Sequence, residues 1–176
     1  MPTPVEPTPP TPWHVRRFQP GDEPALLAVH RSAIERVASR DYTPEQVRAW
    51  LPEDGEWEGW ARRVRGLAPF VVHGGDGIVG YADLQADGLI DHFYVSGHHP
   101  GCGVGAVLMR RIHEEAALRR IAELHAHVSL SAERFFHRWG FEVVERHLPV
   151  RRGIPLPNAL MRKRLSVGAD PGSGWS

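Results

Sequence analysis

A glycine-rich segment in the second half of the chain constrains the fold more than any other feature. Gly101, Gly103 and Gly105 alternate within five residues, after an apolar segment and before an amphipathic one. This pattern is typical of a backbone that bends sharply from a strand into a helix. The free amides at such a helix start, together with the helix dipole, favour an anion such as a phosphate. A tight turn without a ligand is the alternative interpretation.

Turn residues divide the rest of the chain into short segments whose apolar periodicity predicts strands and helices. The predicted strands cover 13–18, 70–73, 78–84, 89–95, 123–129, 141–147 and 160–165. Two helices are predicted early in the chain: the first is capped by Asp22, and the second begins at the capping box Thr43–Gln46. Two more are predicted over 104–120 and 132–139. This order predicts an α/β fold with a mixed, mostly antiparallel sheet and helices on both faces.

Composition assigns most of the chain to one globular domain. The chain has 176 residues, of which 41% are hydrophobic and 24% are charged, as is usual for a globular protein. Residues 1–12 contain six prolines and residues 166–176 are rich in glycine and serine. We therefore expect a disordered Pro-rich lead-in over 1–12, a domain over 13–165 and a disordered tail over 166–176.

The charge balance and the cysteine count exclude several classes of function. Basic and acidic residues number 21 each, which argues against a nucleic-acid partner. No apolar stretch is long enough to span a membrane. The single cysteine, Cys102, argues against disulfides and favours a reducing compartment, the cytoplasm. His125 and His127 lack a carboxylate or cysteine at ligand spacing, so no metal site is expected.

The identity of the anion is open on the glycine pattern alone. Gly101, Gly103 and Ala106 also satisfy the loose dinucleotide pattern, so a dinucleotide-binding oxidoreductase is one alternative. The acidic residue expected at the end of the next strand is absent, since Glu123 lies at its start. A mononucleotide loop is excluded because no Gly-Lys-Ser/Thr follows the glycines.

Two motifs resemble those of the GCN5-related N-acetyltransferase (GNAT) family. Residues 95–109 resemble the loop that binds acyl-CoA, and residues 132–141 resemble the family's second signature, A-x-x-F-Y-x-x-x-G-F. Residues 90–95 and 158–165 look like the YafP-type bacterial branch. The element order agrees with the family over about residues 13–165, and the two signatures occur in the family's order.

The resemblance implies an enzyme that transfers an acetyl group from acetyl-CoA directly to an amine of a small molecule or peptide. The sheet would be split by a V-shaped opening between the strand ending at Val95 and the strand over 123–129. Family members are often dimers, so a homodimer is an expectation. The residues implied in coenzyme binding are Phe93, Val95, Gly101, Cys102, Gly103, Val104, Gly105, Ala106, Ser131 and Phe136.

Two positions depart from the family pattern. Pro100 stands where Gln or Arg is usual, and His98 and His99 are candidates to supply charge there instead. Phe136 stands where many members have a tyrosine that protonates the leaving thiolate, and a phenyl ring donates no proton. These departures keep a non-catalytic acyl-CoA sensor as the leading alternative function.

The strand before the glycine segment contains the candidate catalytic residues. Asp91 and His92 are candidates for the base that takes the proton of the attacking amine. Tyr94 is the nearest hydroxyl that could replace the missing tyrosine as an acid. Strand parity predicts Asp91 on one face and His92 and Tyr94 on the other. Each of these side chains has a purely structural role as its alternative.

Overall fold

The computed structural model describes residues 13–166. The proposed lead-in over 1–12 and all of the proposed tail except Ser166 lie outside the described residues. The helices are α1 (Glu23–Arg36), α2 (Pro44–Trp50), α3 (Trp57–Leu67), α4 (Val104–Leu118) and α5 (Glu133–Arg138), with a 3₁₀ turn over Ala38–Arg40. The strands are β1 (His14–Arg17), β2 (Phe70–Gly74), β3 (Gly77–Ala82), β4 (Phe93–Val95), β5 (Glu123–Ser129), β6 (Glu142–His147), β7 (Val150–Arg151), β8 (Ile154–Pro155) and β9 (Asn158–Arg164).

The strands form two antiparallel sheets that meet along one seam. The first sheet has the order β1-β2-β3-β4 and the second has the order β5-β9-β6, while β7 and β8 form a separate hairpin. A parallel bridge between Leu89 and His125 joins the two sheets. The Ile90 amide donates to the His125 carbonyl, and the His125 amide donates to the Gly88 carbonyl. Beyond this bridge β4 and β5 separate, which confirms the split sheet.

Gly88 permits the close approach of the two sheets at this bridge. Its φ is +90°, and a Cβ atom there would lie 2.0 Å from the Glu123 carbonyl oxygen. Any larger residue would therefore push β5 away from the bridge. The turn signal Asp87-Gly88 in the sequence thus marks a contact between sheets as well as a turn.

Helices cover both faces of the first sheet, as the sequence predicts. On one face α4 packs closely, since a Cβ at Gly80 of β3 would lie 2.7 Å from Val104 Cγ1. On the other face the fully buried Tyr81 packs against Leu26 of α1 and Val64 of α3. Among the described residues, no helix is both long enough and apolar enough to cross a bilayer.

The predicted strand over 89–95 is wrong for its first four residues. Strand β4 begins only at Phe93, because the buried Asp83 carboxylate accepts the amides of Asp91 and His92 at 3.0 and 2.6 Å. Strand parity consequently does not extend to these two residues. Their side chains lie together, with His92 Nε2 3.7 Å from Asp91 Oδ2, and not on opposite faces.

Other differences from the sequence predictions concern local elements. Helix α3 was not predicted, since Gly59 and Gly66 interrupt its apolar pattern, and the β7–β8 hairpin was also missed. Asp22 does precede α1, but its carboxylate does not cap the helix and binds Arg16 instead. The capping box at Thr43 is confirmed.

A buried carboxylate joins α4 to the first sheet. Glu115 of α4 accepts hydrogen bonds from Arg17, Arg111 and Arg119. The guanidinium groups of Arg17 and Arg111 also lie 4.2 and 4.5 Å from the ring centre of Phe70. Burial acts to raise the pKa of Glu115, but the three arginines outweigh it and lower that pKa.

We expect Glu115→Gln to reduce the free energy of unfolding at pH 7 by about 1–3 kcal/mol, because charge-assisted hydrogen bonds are lost. A lowered pKa means that the stabilisation is present at neutral pH and is lost as the pH falls below about 4. Urea unfolding at pH 7 and at a pH below about 4 measures the free energy of unfolding in each state. Glu114→Gln is the control, since that carboxylate is exposed and 3.9 Å from Arg111. Equal losses for the two variants would contradict the assignment.

Candidate active site

A cavity of about 490 Å³ opens where β4 and β5 separate, a volume typical of a small-molecule site. The glycine segment lies at one end, and Ile34 and Trp50 lie at the other. The predicted site residues that line this cavity are Asp91, Phe93, Tyr94, Val95, Gly101, Cys102, Gly103, Val104, Gly105, Ala106, Ser131 and Phe136. His92 is buried behind this surface and does not line it.

The glycine segment presents free amides to the cavity. Gly101 and Gly103 have φ values of +68° and +81°, which only glycine adopts without strain. Among the described residues, no acceptor takes a hydrogen bond from the amides of 101–106. The Trp13 indole donates to the Cys102 carbonyl at 2.8 Å and holds the segment against β1. A Cβ at Gly105 would lie 3.1 Å from the Phe135 ring.

The open edge of β4 supplies further backbone donors. The His92 carbonyl and the Ser96 amide both bond toward β3. Because hydrogen-bonding direction alternates along a strand, the amides of Phe93 and Val95 point the other way, into the opening. The cavity therefore has backbone donors along one wall as well as at its glycine end.

Phe135 and Phe136 bring aromatic rings to the opposite wall. Phe136 is 3% exposed and packs edge-on against Phe93 and Phe141. Its ring offers an apolar surface and no proton. The Ser131 hydroxyl donates to the Asp41 carboxylate at 2.7 Å, which ties this wall to the start of α2.

A histidine and tyrosine cluster lies beneath the β4 side of the cavity. The Tyr81 hydroxyl is 3.1 Å from His92 Nδ1 and 3.5 Å from His30 Nδ1. Burial lowers the pKa of His92 to about 4 and that of His30 to about 3, so both are neutral at pH 7. Burial raises the pKa of Tyr94 to about 12, so its hydroxyl keeps its proton.

Asp91 is the carboxylate that reaches the cavity. It accepts hydrogen bonds from Arg63 of α3, with Arg63 Nε at 3.2 Å. This ion pair holds the carboxylate in place at the cavity wall. Within residues 13–166, no group of three or more His, Cys, Asp or Glu side chains is arranged to hold a metal ion.

Sequence reasoning missed two residues of this site and gave a third only a minor role. Asp83 positions Asp91 and His92, and its only signal is a carboxylate at the end of an apolar strand. Arg138 of α5 lines the cavity from a variable position within the second motif, so the motif itself does not mark it. His99, named only as a possible source of charge, lines the cavity with a buried Nδ1 that has no partner among the described residues.

Sequence comparison finds acetyltransferases. The family model described as the acetyltransferase (GNAT) domain matches residues 38–165. Over 148 residues the chain is 28% identical to a protein of Escherichia coli (strain K12) described as the uncharacterized N-acetyltransferase YafP. The match covers 84% of this chain and 93% of that protein.

Comparison of structures finds the same class. A crystal structure described as a GCN5-related N-acetyltransferase (aminotransferase, class-II) from Rhodopseudomonas palustris superposes with a TM-score of 0.83 at 27% identity. It covers 92% of this chain and all of its own. The structure of yncA, a putative acetyltransferase of Salmonella typhimurium with acetyl-CoA, has a TM-score of 0.63 at 19% identity and covers 93% of this chain and 100% of its own.

We expect Asp83→Ala to reduce the free energy of unfolding by about 2–4 kcal/mol, because two buried amides lose their acceptor. Asp83→Asn keeps an acceptor oxygen and should cost far less. Burial raises the pKa of Asp83 to about 6. Wild type should therefore lose stability relative to Asp83→Asn as the pH rises through 6. Chemical unfolding of the wild type and both variants at pH 5 and pH 8 measures these free energies. Equal losses for the Ala and Asn variants would contradict the role of Asp83.

Proposed function

The chain belongs to the GNAT family of acetyltransferases, and we propose that it moves the acetyl group of acetyl-CoA directly to an amine of a small molecule or peptide. The observation that carries this proposal is the row of free amides over 101–106 at the end of a cavity between two separated strands. The comparisons favour neither an acyl-CoA sensor nor a dinucleotide-binding oxidoreductase.

The glycine segment binds the diphosphate of the coenzyme in this proposal. Amides at a helix start and the helix dipole suit an anion, and left-handed glycines leave room for a close approach. Pro100 offers neither an amide donor nor a charged side chain at the position where the family usually has Gln or Arg. Arg138 and His99 line the same cavity and supply polar groups that Pro100 cannot.

The pantetheine arm occupies the opening between β4 and β5. Phe93 and Val95 offer it their unpaired backbone groups, and Ser131 and Phe136 flank it on the other side. The Val95 amide donates to the thioester carbonyl and stabilises the negative charge that develops on its oxygen. This orientation brings the acetyl group toward Asp91 and Tyr94.

Asp91 is the base and Tyr94 the acid in the proposed reaction. The Asp91 carboxylate accepts the proton of the attacking amine, directly or through a water molecule. His92 is the second candidate for the base, since its neutral Nε2 lies 3.7 Å from Asp91. Tyr94 retains its proton at neutral pH and donates it to the departing thiolate, the role that Phe136 cannot perform.

The acceptor enters from the end of the cavity formed by α1 and α2. Ile34, Ala38 and Trp50 contribute apolar side chains to the cavity lining, which Asp91 also reaches. This arrangement suits an amine carried on an apolar or flexible chain, with the amine itself beside the carboxylate. A cytoplasmic setting, a bacterial source and a homodimer remain predictions from the sequence and its resemblance to the family.

We expect Gly103→Val and Gly105→Val to weaken acetyl-CoA binding by tenfold or more, about 1.4 kcal/mol. The first variant strains a backbone with φ of +81°, and the second places its side chain against Phe135 and into the cavity. Isothermal titration calorimetry with acetyl-CoA measures the affinity. Gly59→Ala is the control, because a Cβ there meets nothing within 4 Å. No binding to the wild type at millimolar acetyl-CoA would end the proposal.

We expect Asp91→Asn and Tyr94→Phe to reduce kcat by about 10²-fold or more, the effect of a positioned acid or base. Their affinity for acetyl-CoA should not change. A thiol-release assay with polyamines, small aromatic amines and peptides as acceptors measures kcat, and calorimetry measures the affinity. Asp76→Asn in the exposed β2–β3 turn is the control. Acetyl-CoA binding without turnover of any acceptor would support a sensor instead.

A further inference from the structure

The chain contains a single lysine, and that lysine is unusually placed. Lys163 lies on β9, whose residues Ala159 and Met161 face the core. Side chains alternate along a strand, so Lys163 shares their face and extends under α4. It is partly buried, whereas its neighbours Arg162 and Arg164 are exposed. Lys163 does not line the cavity described above.

The amine of Lys163 contacts a histidine whose tautomer is determined by a second contact. Lys163 Nζ lies 2.8 Å from His113 Nε2, and His113 Nδ1 lies 2.7 Å from the Met109 carbonyl oxygen. A carbonyl oxygen only accepts, so His113 Nδ1 is the nitrogen that holds a proton. His113 Nε2 therefore has a free lone pair and accepts a hydrogen bond from the amine.

The surroundings of Lys163 shift its amine toward the neutral form. Within residues 13–166, no carboxylate lies within 4.0 Å of Lys163 Nζ, so no ion pair holds its charge. Burial lowers the pKa of Lys163. Burial outweighs the Met109 contact and lowers the pKa of His113, so His113 is mostly neutral at pH 7. A desolvated lysine beside a proton acceptor is the usual arrangement of a nucleophilic amine.

We propose that Lys163 is a modification site that is acetylated by acetyl-CoA from solution, with His113 as the proton acceptor. The Lys163 nitrogen attacks the thioester carbonyl, a C–N bond forms and the C–S bond breaks. The thiolate of coenzyme A leaves and takes a proton from water, while the amine proton passes to His113 Nε2 and then to solvent. The product is an acetyl-lysine on β9, outside the cavity.

The test follows acetylation of the full chain with acetyl-CoA by intact mass and peptide mapping. Arg110→Lys adds an exposed reference lysine to α4, the helix that carries His113. The lowered pKa raises the fraction of free amine at Lys163, and His113 accepts the amine proton during attack, an acceptor that the exposed reference lysine lacks. We therefore expect Lys163 to react about tenfold faster than the reference lysine. Equal rates at the two lysines would overturn the proposal.

A matched pair of variants tests the role of His113. His113→Asn retains a donor for the Met109 carbonyl but removes the acceptor at Nε2, so acetylation of Lys163 should slow toward the reference rate. His113→Gln retains an amide oxygen near Lys163 and should give an intermediate rate. Circular dichroism checks that both variants fold. A rate at Lys163 that does not change in folded His113→Asn would contradict the assignment.

The modification does not depend on the proposed active site. Gly103→Val should weaken coenzyme binding and leave the rate at Lys163 unchanged. If Gly103→Val lost both coenzyme binding and acetylation of Lys163, the acetylation would take place in the cavity. That result would overturn the proposed reaction with acetyl-CoA from solution. Conversely, acetylation of Lys163 in a chain that transfers no acetyl group to any amine would leave the inference intact and remove the proposed function.

Discussion

The separation of β4 and β5 is the constraint on which the rest of the site depends. The Gly88 and Ile90 backbone groups bond to His125, and past this point the strands diverge. A cavity with unpaired backbone donors on its wall results, because strands that stay paired would satisfy these groups themselves. Gly88 makes the bridge possible, since any Cβ there would clash with the Glu123 carbonyl.

Buried polar groups position the β4 side of the cavity. Asp83 binds the amides of Asp91 and His92, and Tyr81 contacts His92 and His30. Most of this cluster is neutral at pH 7, because burial disfavours charged histidine and tyrosinate. Arg63 pairs with Asp91 at the cavity surface. The arrangement places a carboxylate at the cavity wall and neutral histidine and tyrosine side chains behind it.

Features that depend on local sequence were predicted well. The alternating glycines predict the bend before α4, and the capping box at Thr43 predicts α2, because each acts through backbone groups a few residues away. Helix α3 and the β7–β8 hairpin were missed, since glycines interrupt the first and the second has only short strands. The parity of Asp91 and His92 was wrong because the Asp83 side chain accepts their amides in place of the β3 backbone, a contact that strand periodicity does not show.

The sequence by itself determined the type of fold, the glycine segment with its free amides and the family resemblance, since these follow from local backbone preferences and short motifs. Only the tertiary structure decided which side chains meet. It brought Arg63 to Asp91, Arg138 and His99 to the cavity, and Lys163 to His113. Such contacts join residues far apart along the chain, and they depend on how the two sheets and their helices pack. Periodicity and spacing describe one element at a time, so they do not predict that packing.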